Sequence, residues 1–148
     1  MTTDGNKAVR VRILIEGELT EKILGAAFKV HSTLGMGFLE RVYENALVVE
    51  LSRMQLPIEQ QRAMKVTYEG VIVGDFFADL IVDGRVLLEC KAISNLESAH
   101  EAQLMNYMRI TKTQVGYLLN FGHKDKLEWK RIIITEDRIE EKRTPNLY

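Results

Sequence analysis

The sequence predicts an α/β protein in which a mixed β-sheet is flanked by α-helices. Two segments with helical spacing of apolar residues come first, three strand-like segments follow, and one more helix precedes two further strands. The helix after the third strand can return the chain to a parallel neighbour through a right-handed crossover. The 148-residue chain is 46% hydrophobic, which suffices for one core, so we expect a single domain over residues 1–148.

The first two helices are predicted from apolar spacing and from the residues that follow them. The first is expected at residues 20–34, ahead of a Gly-Met-Gly run that would end it. The second is expected at residues 38–54, ahead of Pro57. Residues 1–17 are expected to form an N-terminal extension, with a short strand at residues 9–15 where valine and isoleucine alternate with arginine.

The remaining elements are predicted from alternating or continuous apolar runs bounded by turn residues. Strands are expected at residues 64–68, 71–82, 85–92, 114–121 and 127–134, and the second of these is expected to be covered on both faces. The third helix is expected to begin at one of two capping-box patterns, residues 94–97 or 98–101, and to end near Ile110. The charged tail at residues 135–148 is expected to be loose.

The composition limits the class of protein. Cys90 is the single cysteine, so an internal disulfide and a cysteine-rich zinc site are excluded. The sequence shows no apolar run of membrane-spanning length and no signal-like stretch in residues 1–10, which predicts a cytoplasmic protein without membrane contact. The net charge of −1 gives no general attraction for a polyanion, so nucleic-acid binding would need local positive patches and a metal.

Four polar residues interrupt otherwise apolar segments: Asp79, Glu89, Lys91 and Gln103. Glu89 and Lys91 are two positions apart and therefore share one face of a strand. Taken singly, each has an ordinary explanation, namely a strand edge, a surface ion pair or a satisfied core amide. Because buried carboxylates are costly unless they are paired or bound to metal, the combination indicates a functional site.

The order of Asp79 and then Glu89-Cys90-Lys91 resembles the PD-(D/E)xK nuclease signature, with Ala78 at the position of the proline. Residues 37–43 match the motif that names the GxxExxY family within that superfamily. Three further segments are similar to the family, at residues 101–107, 120–122 and 126–131, and the similarity spans residues 19–134. The resemblance implies a restriction-endonuclease-like fold and a metal-dependent nuclease acting on DNA or RNA.

The resemblance also implies roles for individual residues, and the chemistry of the residues agrees with them. Asp79 and Glu89 would hold Mg²⁺ or Mn²⁺, and Glu40 would add a third carboxylate directly or through water. Lys91 would polarise the attacking water and offset negative charge, and Gln103 would position the water, the lysine or a phosphate oxygen. Glu40 is expected to point inward, although an acidic residue in the first turn of a helix also stabilises the helix dipole without any catalysis.

Other interpretations stay open. A catalytically silent nucleic-acid- or protein-binding module could retain the fold, and a homodimer or a partner subunit could supply the substrate surface. Cys90 is expected to be buried and inert, and His100 either reaches a phosphate or caps the third helix. A C-terminal cluster could follow a phosphate backbone or form a solvated edge; its basic residues are Lys124, Lys126, Lys130 and Arg131.

A shared metal places a condition on the hairpin that joins the second and third strands. Asp79 and Glu89 must lie on one face, but a two-residue Asp-Gly turn would put them on opposite faces. A loop with an odd number of residues, or a bulge, is therefore required. The loop expected is residues 82–84, with its glycine left-handed, so that Ile81 pairs with Arg85.

Overall fold

The computed structural model describes the backbone of residues 3–134 and the side chains of residues 17–134. Within that part the predicted order of two helices, three strands, a helix and two strands is confirmed. The elements are α1 (Thr3–Leu34), α2 (Glu40–Arg53), β1 (Ile58–Tyr68), β2 (Val71–Val82), β3 (Val86–Lys91), α3 (Ser98–Thr111), β4 (Val115–Asn120) and β5 (Glu128–Ile133). No helix in the described part has both the length and the apolar character that crossing a membrane requires. The tail at residues 135–148 lies outside the described residues.

The five strands form one mixed sheet in the order β1-β2-β3-β4-β5. All neighbours are antiparallel except β3 and β4, which are parallel and are joined by α3. This arrangement confirms the predicted parallel neighbour after α3 and the predicted α/β fold. Helices α1 and α2 pack on one face of the sheet and α3 on the other, so alternate residues of β3 enter two different cores: Leu88 and Cys90 face the first, and Leu87 faces the second.

Helix α1 differs from the prediction at its N-terminal end. It begins at Thr3, so the strand expected at residues 9–15 is wrong, and residues 3–17 continue the helix instead of forming a separate extension. Arginine, leucine, lysine and glutamate are good helix formers, and a short alternating segment without a strand partner gains no ladder hydrogen bonds. The C-terminal end is as predicted, because Gly35 adopts a φ of 67° and its N–H donates to the His31 carbonyl at 2.8 Å.

The β1–β2 hairpin is longer and more exposed than predicted. Strand β1 begins at Ile58, six residues before the expected start. Residues 71–77 of β2 are mostly exposed, so the expectation that both faces of this strand are covered is wrong for them; burial begins at Ala78. The ladder between β1 and β2 pairs Gln60 with Leu80 and Arg62 with Ala78, and it skips the position between them.

The turn between β2 and β3 satisfies the condition that a shared metal imposes. Val82 pairs with Val86, which leaves an odd loop of residues 83–85, and Gly84 is left-handed with a φ of 63°. The odd loop was predicted, but it lies one residue later than the loop expected at residues 82–84. The register ends at Leu80 paired with Leu88, so Asp79 lies beside Glu89 where the two strands begin to separate.

Helix α3 begins with a reciprocal cap that differs from both predicted capping boxes. Glu97 is the N-cap, its side chain accepts from the backbone of His100, and the His100 Nδ1 accepts the Glu97 N–H at 2.9 Å. A glutamate and a histidine therefore perform the roles expected of a serine and a glutamate. His100 is a capping residue in this structure, as one of its two interpretations predicted.

Candidate active site

Asp79 and Glu89 meet where β2 and β3 separate. The Asp79 backbone N–H donates to Glu89 Oε1 at 3.1 Å, and the Cys90 backbone N–H donates to Asp79 Oδ2 at 2.9 Å. Each carboxylate thus takes the place of a ladder carbonyl on the opposite strand. The predicted proximity of these two carboxylates is present, and backbone hydrogen bonds on both strands fix it.

The pair is electrostatically unfavourable as long as no cation is bound. Glu89 is only 5% exposed. Burial, and then the charge of Asp79, raise the pKa of Glu89 from 4.5 to about 8, against the lowering effect of the Asp79 N–H and of Lys91. A site that makes a carboxylate this difficult to ionise would be relieved by a positive charge placed between the two groups.

Lys91 is held by α3. Its Nζ donates to Gln103 Oε1 at 3.2 Å, and Gln103 Nε2 donates in turn to the Tyr107 hydroxyl at 3.2 Å. Among residues 17–134, Lys91 forms no ion pair with a carboxylate. A neutral amide therefore orients the ammonium group, which leaves its other N–H donors free for another partner.

The carboxylate that α2 buries at this site is Glu44, and Glu40 lies at the rim. Glu40 is the first residue of α2 and is exposed, so the expectation that it points inward is wrong. Glu44 follows one turn later, lies over β1 and β2, and is 2% exposed. Burial raises the pKa of Glu44, and the charge of Asp79 adds to this effect.

Two adjacent glutamines of β1 connect Glu44 to the strand pair. Gln61 Nε2 donates both to Glu44 Oε1 at 2.7 Å and to Asp79 Oδ1 at 3.1 Å, and Gln60 Nε2 donates to Glu44 Oε2 at 2.6 Å. Gln61 occupies the position that the β1–β2 ladder skips, and its φ is 53°, a left-handed value that is uncommon for residues other than glycine. Strained backbone of this kind is concentrated at functional sites.

Gln61 and Glu44 are site residues that no prediction from the sequence included. The polar pair Gln60-Gln61 within a strand was the available signal for the first, since strands with one buried face rarely place two amides in succession. For the second, the signal was the spacing of one helical turn from Glu40. Neither signal gives the backbone conformation of Gln61, which depends on the opposite strand.

Among the described side chains, no group of three histidines, cysteines, aspartates or glutamates is arranged to hold a metal ion. The expected convergence of Glu40, Asp79 and Glu89 on one point is therefore absent. Glu40 is exposed at the rim, and the other two each direct an oxygen to a backbone N–H. The donor chemistry of Asp79 and Glu89 still fits Mg²⁺ or Mn²⁺, because Mg²⁺ is commonly held by one or two carboxylates together with water and substrate phosphate.

An open pocket of about 480 Å³ leads to Asp79 and Glu44. It lies between the N-terminal end of α2 and the end of β3. The residues that line it are Phe38, Leu39, Glu40, Arg41, Glu44, Asp79 and Ala92. A phosphate group can therefore reach the carboxylates from solvent past the first residues of α2.

A second polar network holds the backbone that follows β3. Asn120 is fully buried; its Oδ1 accepts the N–H groups of Ile93 and Gly122, each at 3.0 Å, and its Nδ2 donates to Glu128 Oε2 at 3.0 Å. Glu128 Oε1 accepts the Leu96 N–H at 2.9 Å. A Cβ at Gly122 would lie 2.3 Å from the Ile93 carbonyl oxygen, so only glycine permits this approach. The network fixes the segment between β3, which carries Lys91, and α3, which carries Gln103.

Tyr43 holds the loop in front of α2. Its hydroxyl donates to the Gly35 carbonyl at 2.6 Å and accepts the Phe38 N–H at 3.2 Å. Its ring stacks on Phe121, with centroids 4.7 Å apart and planes 7° from parallel. Tyr43 is fully buried and acts on the pocket through the loop that it holds, since that loop carries the lining residue Phe38.

The remaining candidates lie away from these contacts or are inert. Cys90 is buried, as predicted, and burial raises the pKa of its thiol well above the ordinary value. In the basic C-terminal cluster, Lys130 pairs with Glu101 at 3.6 Å, which agrees with a solvated edge. Trp129 is half-exposed on β5 and packs against Tyr117 at a centroid distance of 6.0 Å.

Comparison with known proteins gives one extensive match. A sequence model of the PD-(D/E)XK nuclease superfamily matches residues 17–132. Among curated proteins, none shows significant sequence similarity to the chain. A solved structure described as the crystal structure of SSO0001 is 17% identical, with a TM-score of 0.49 over 69% of this chain and 55% of that one. The chain thus spans about half the length of that structure, and a likeness of this degree adds no argument about function.

Proposed function

The chain belongs to the PD-(D/E)XK nuclease superfamily, and from this premise we propose that it is a metal-dependent nuclease that hydrolyses phosphodiester bonds of DNA or RNA. Membership of the superfamily supports nuclease activity on nucleic acid. One observation carries the finer proposal: half-buried Asp79 and buried Glu89, which repel each other, lie on the same sheet face as Lys91, whose ammonium is held by an amide and not by a carboxylate.

In this proposal Asp79 and Glu89 would hold Mg²⁺ or Mn²⁺. When bound, such a cation would polarise a phosphate oxygen and lower the pKa of a bound water. Glu44 would help to position the Asp79 carboxylate through Gln61, which donates to both Glu44 and Asp79. Glu40, at the rim of the pocket, would contribute through water; its role as a ligand stays a prediction.

The other residues of the chain would position the reacting groups. Lys91 donates one hydrogen bond to Gln103, so further N–H donors of its ammonium are available to a water or to a phosphate oxygen. Gln103 is fixed in turn by Tyr107, which restricts the direction in which the ammonium points. This positive charge would offset the negative charge that develops on the phosphorus-bound oxygens during attack.

A direct experiment is to incubate the purified full chain with single- and double-stranded DNA and RNA in the presence of Mg²⁺ or Mn²⁺. Cleavage is expected with either metal, none is expected in excess chelator, and Lys91→Ala is expected to be inactive. The proposal is wrong if the parent protein cleaves none of these substrates, or if the Lys91→Ala protein cleaves as well as the parent.

A second candidate is a catalytically silent module that binds nucleic acid or protein with the same fold. The net charge of −1 favours the protein-binding form of such a module, because it gives no general attraction for a polyanion. The incubation separates the two candidates, since a silent module binds without cleaving.

Within the superfamily we propose membership of the GxxExxY family. Residues 37–43 support it, and Tyr43 of that segment holds the loop at the pocket. A single domain, a cytoplasmic location, and a homodimer or partner subunit stay predictions.

A further inference from the structure

The mouth of the acidic pocket carries two large apolar side chains of which half or more is exposed. Phe38 is 50% exposed and Leu39 is 80% exposed, and both line the pocket together with Asp79. The contact of Phe38 with Tyr43 accounts for one part of the ring, as a hydrophobic contact across the start of α2, but not for its exposed part or for Leu39. Their position at the entrance suggests a ligand with an apolar surface.

The backbone holds these side chains in a fixed position. The Phe38 N–H donates to the Tyr43 hydroxyl, and the two rings meet edge to face at 6.2 Å and 72°. Gly35 and Gly37 adopt φ values of 67° and 111°, which let the chain turn sharply between α1 and α2. The aromatic ring is therefore presented at the mouth by a braced loop, which lowers the entropic cost of binding to it.

The charge around the pocket limits how much phosphate contacts can contribute to the affinity for a nucleotide. Three carboxylates line it, those of Glu40, Glu44 and Asp79, against one arginine. The Nε of that residue, Arg41, lies 3.7 Å from Glu44 Oε2, so its charge is partly offset. Apart from a bound cation, little at this entrance attracts phosphates. Contacts with the uncharged part of a nucleotide must contribute a large share of the binding free energy.

We propose that Phe38 and Leu39 form a base platform that takes up an unpaired nucleobase next to the reacting phosphate. This inference rests on the proposed function and specifies its substrate class: single-stranded nucleic acid, or a strand that is unpaired at the cut. Stacking on an aromatic side chain requires an accessible base face, and in a duplex those faces are covered by neighbouring base pairs. The platform therefore selects against intact double helices.

The test measures binding separately from cleavage. The full chain, with Ca²⁺ in place of Mg²⁺, is titrated into a fluorescent single-stranded oligonucleotide and into the matching duplex, and anisotropy is recorded. We expect the single strand to bind at least about tenfold more tightly, and Phe38→Ala to remove about tenfold in single-strand affinity. Phe28→Ala is the matched control, because Phe28 is a 47% exposed phenylalanine on α1 that does not line the pocket.

A second variant excludes loss of folding as the explanation. Leu39 is the N-cap of α2 and makes no side-chain capping bond. Serine is strongly preferred at this position, so Leu39→Ser should keep or raise the melting temperature while it removes the apolar side chain. Weaker single-strand binding by a protein of unchanged stability supports the platform. Phe38→Trp, which keeps an aromatic face, should bind like the parent.

The salt dependence of single-strand binding measures separately how much of the affinity comes from phosphate contacts. A protein that binds through 6–10 phosphate contacts loses about 10³–10⁵ in affinity between 50 and 200 mM salt, and we expect a loss below about tenfold here.

The inference is overturned if the duplex binds as tightly as the single strand, or if Phe38→Ala and Leu39→Ser bind like Phe28→Ala. The proposed function fails separately: a protein that prefers single strands through Phe38 but never cleaves them keeps the platform and loses the nuclease activity.

Discussion

Two buried polar networks lie close together in this molecule and differ in how their charges are arranged. In the network of Asn120 and Glu128, the amide oxygen and nitrogen of Asn120 and both carboxylate oxygens of Glu128 meet a complementary partner. In the cluster of Glu44, Asp79 and Glu89, three carboxylates lie together, and the pKa values of the two glutamates are raised by burial and by Asp79. Burial of polar groups is common to both, so burial alone does not identify a functional site.

The difference separates stability from chemistry. A satisfied network holds the backbone in place, and its removal leaves buried donors without partners. Crowded carboxylates lower the stability of the metal-free fold, and such a cost persists where a site needs the charges for another purpose. Substitutions in the two regions should therefore move different measurements.

The largest effect is expected at the two carboxylates that meet between β2 and β3. The double substitution Asp79→Ala, Glu89→Ala should abolish Mn²⁺ binding in calorimetric titrations. It should also lower cleavage by about a thousandfold or more, because a bound cation contributes several kcal/mol to the transition state. Without metal, the double variant also leaves the Asp79 and Cys90 N–H groups without their acceptors, which opposes the stability gained by removing the repulsion. Unchanged Mn²⁺ affinity in the double variant would contradict the assignment of these residues as ligands.

The next effect concerns Lys91. Lys91→Ala should lower the cleavage rate by about 10²–10³-fold, the usual loss on removing one donor that stabilises transition-state charge. Stability and Mn²⁺ affinity should stay close to those of the parent, because Lys91 pairs with Gln103 and not with a carboxylate. A loss of about 3–5 kcal/mol in unfolding free energy would instead identify a buried ion pair.

The other network should respond in the opposite way. Asn120→Ala removes the partner of two backbone N–H groups and of Glu128, and each unsatisfied buried group costs about 1–3 kcal/mol. Chemical denaturation should show this loss. Asn120→Asp, which keeps the acceptor but sets a carboxylate against Glu128, is the matched control and should also destabilise. If Asn120→Ala lowered the Mn²⁺ affinity and left the free energy of unfolding unchanged, the Asn120 network would serve the metal site and not stability.

The raised pKa of Glu89 makes the metal-free fold sensitive to pH. The folded protein favours the protonated form, so this contribution to stability is complete below the ordinary pKa of 4.5 and is lost as the pH rises towards about 8. The loss is at most about 1.4 kcal/mol per pH unit. Melting temperatures between pH 4.5 and 8 should therefore fall, Glu89→Gln should flatten most of the slope, and saturating Mg²⁺ should do the same. A slope that Glu89→Gln leaves unchanged would contradict this account.

Two features could be predicted from the sequence: the order of the elements, and the position of Asp79 and Glu89 on one face of the β2–β3 hairpin. Both follow from the spacing of side chains along helices and strands. The requirement for an odd loop came from the same rule, while its position one residue later depends on how Asp83 and Gly84 share the left-handed conformations.

Other features depend on contacts between distant segments. Asn120 meets Ile93 across 27 residues, and the Leu96 contact with Glu128 spans 32 residues. The sequence motif contains Glu40 and not Glu44, so the motif predicts that Glu40 points inward, whereas Glu44 is the buried one. The position of the first helical residue relative to the sheet then decided which side chain was buried, and a periodic pattern does not give that position.

The smallest effect is expected at Gln61, where backbone and side chain can be separated. Gln61→Ala and Gln61→Gly both remove the amide that donates to Glu44 and Asp79, so both should weaken Mn²⁺ binding by a similar factor, about 10-fold for a partner that orients a ligand. Only the glycine variant also relieves the left-handed backbone with its φ of 53°, so it should be more stable than the alanine variant by about 1 kcal/mol. Thermal unfolding and Mn²⁺ titration of the two proteins check both expectations. Equal stability would mean that the backbone at Gln61 carries no strain, whereas parental Mn²⁺ affinity in both would mean that the amide does not position the carboxylates.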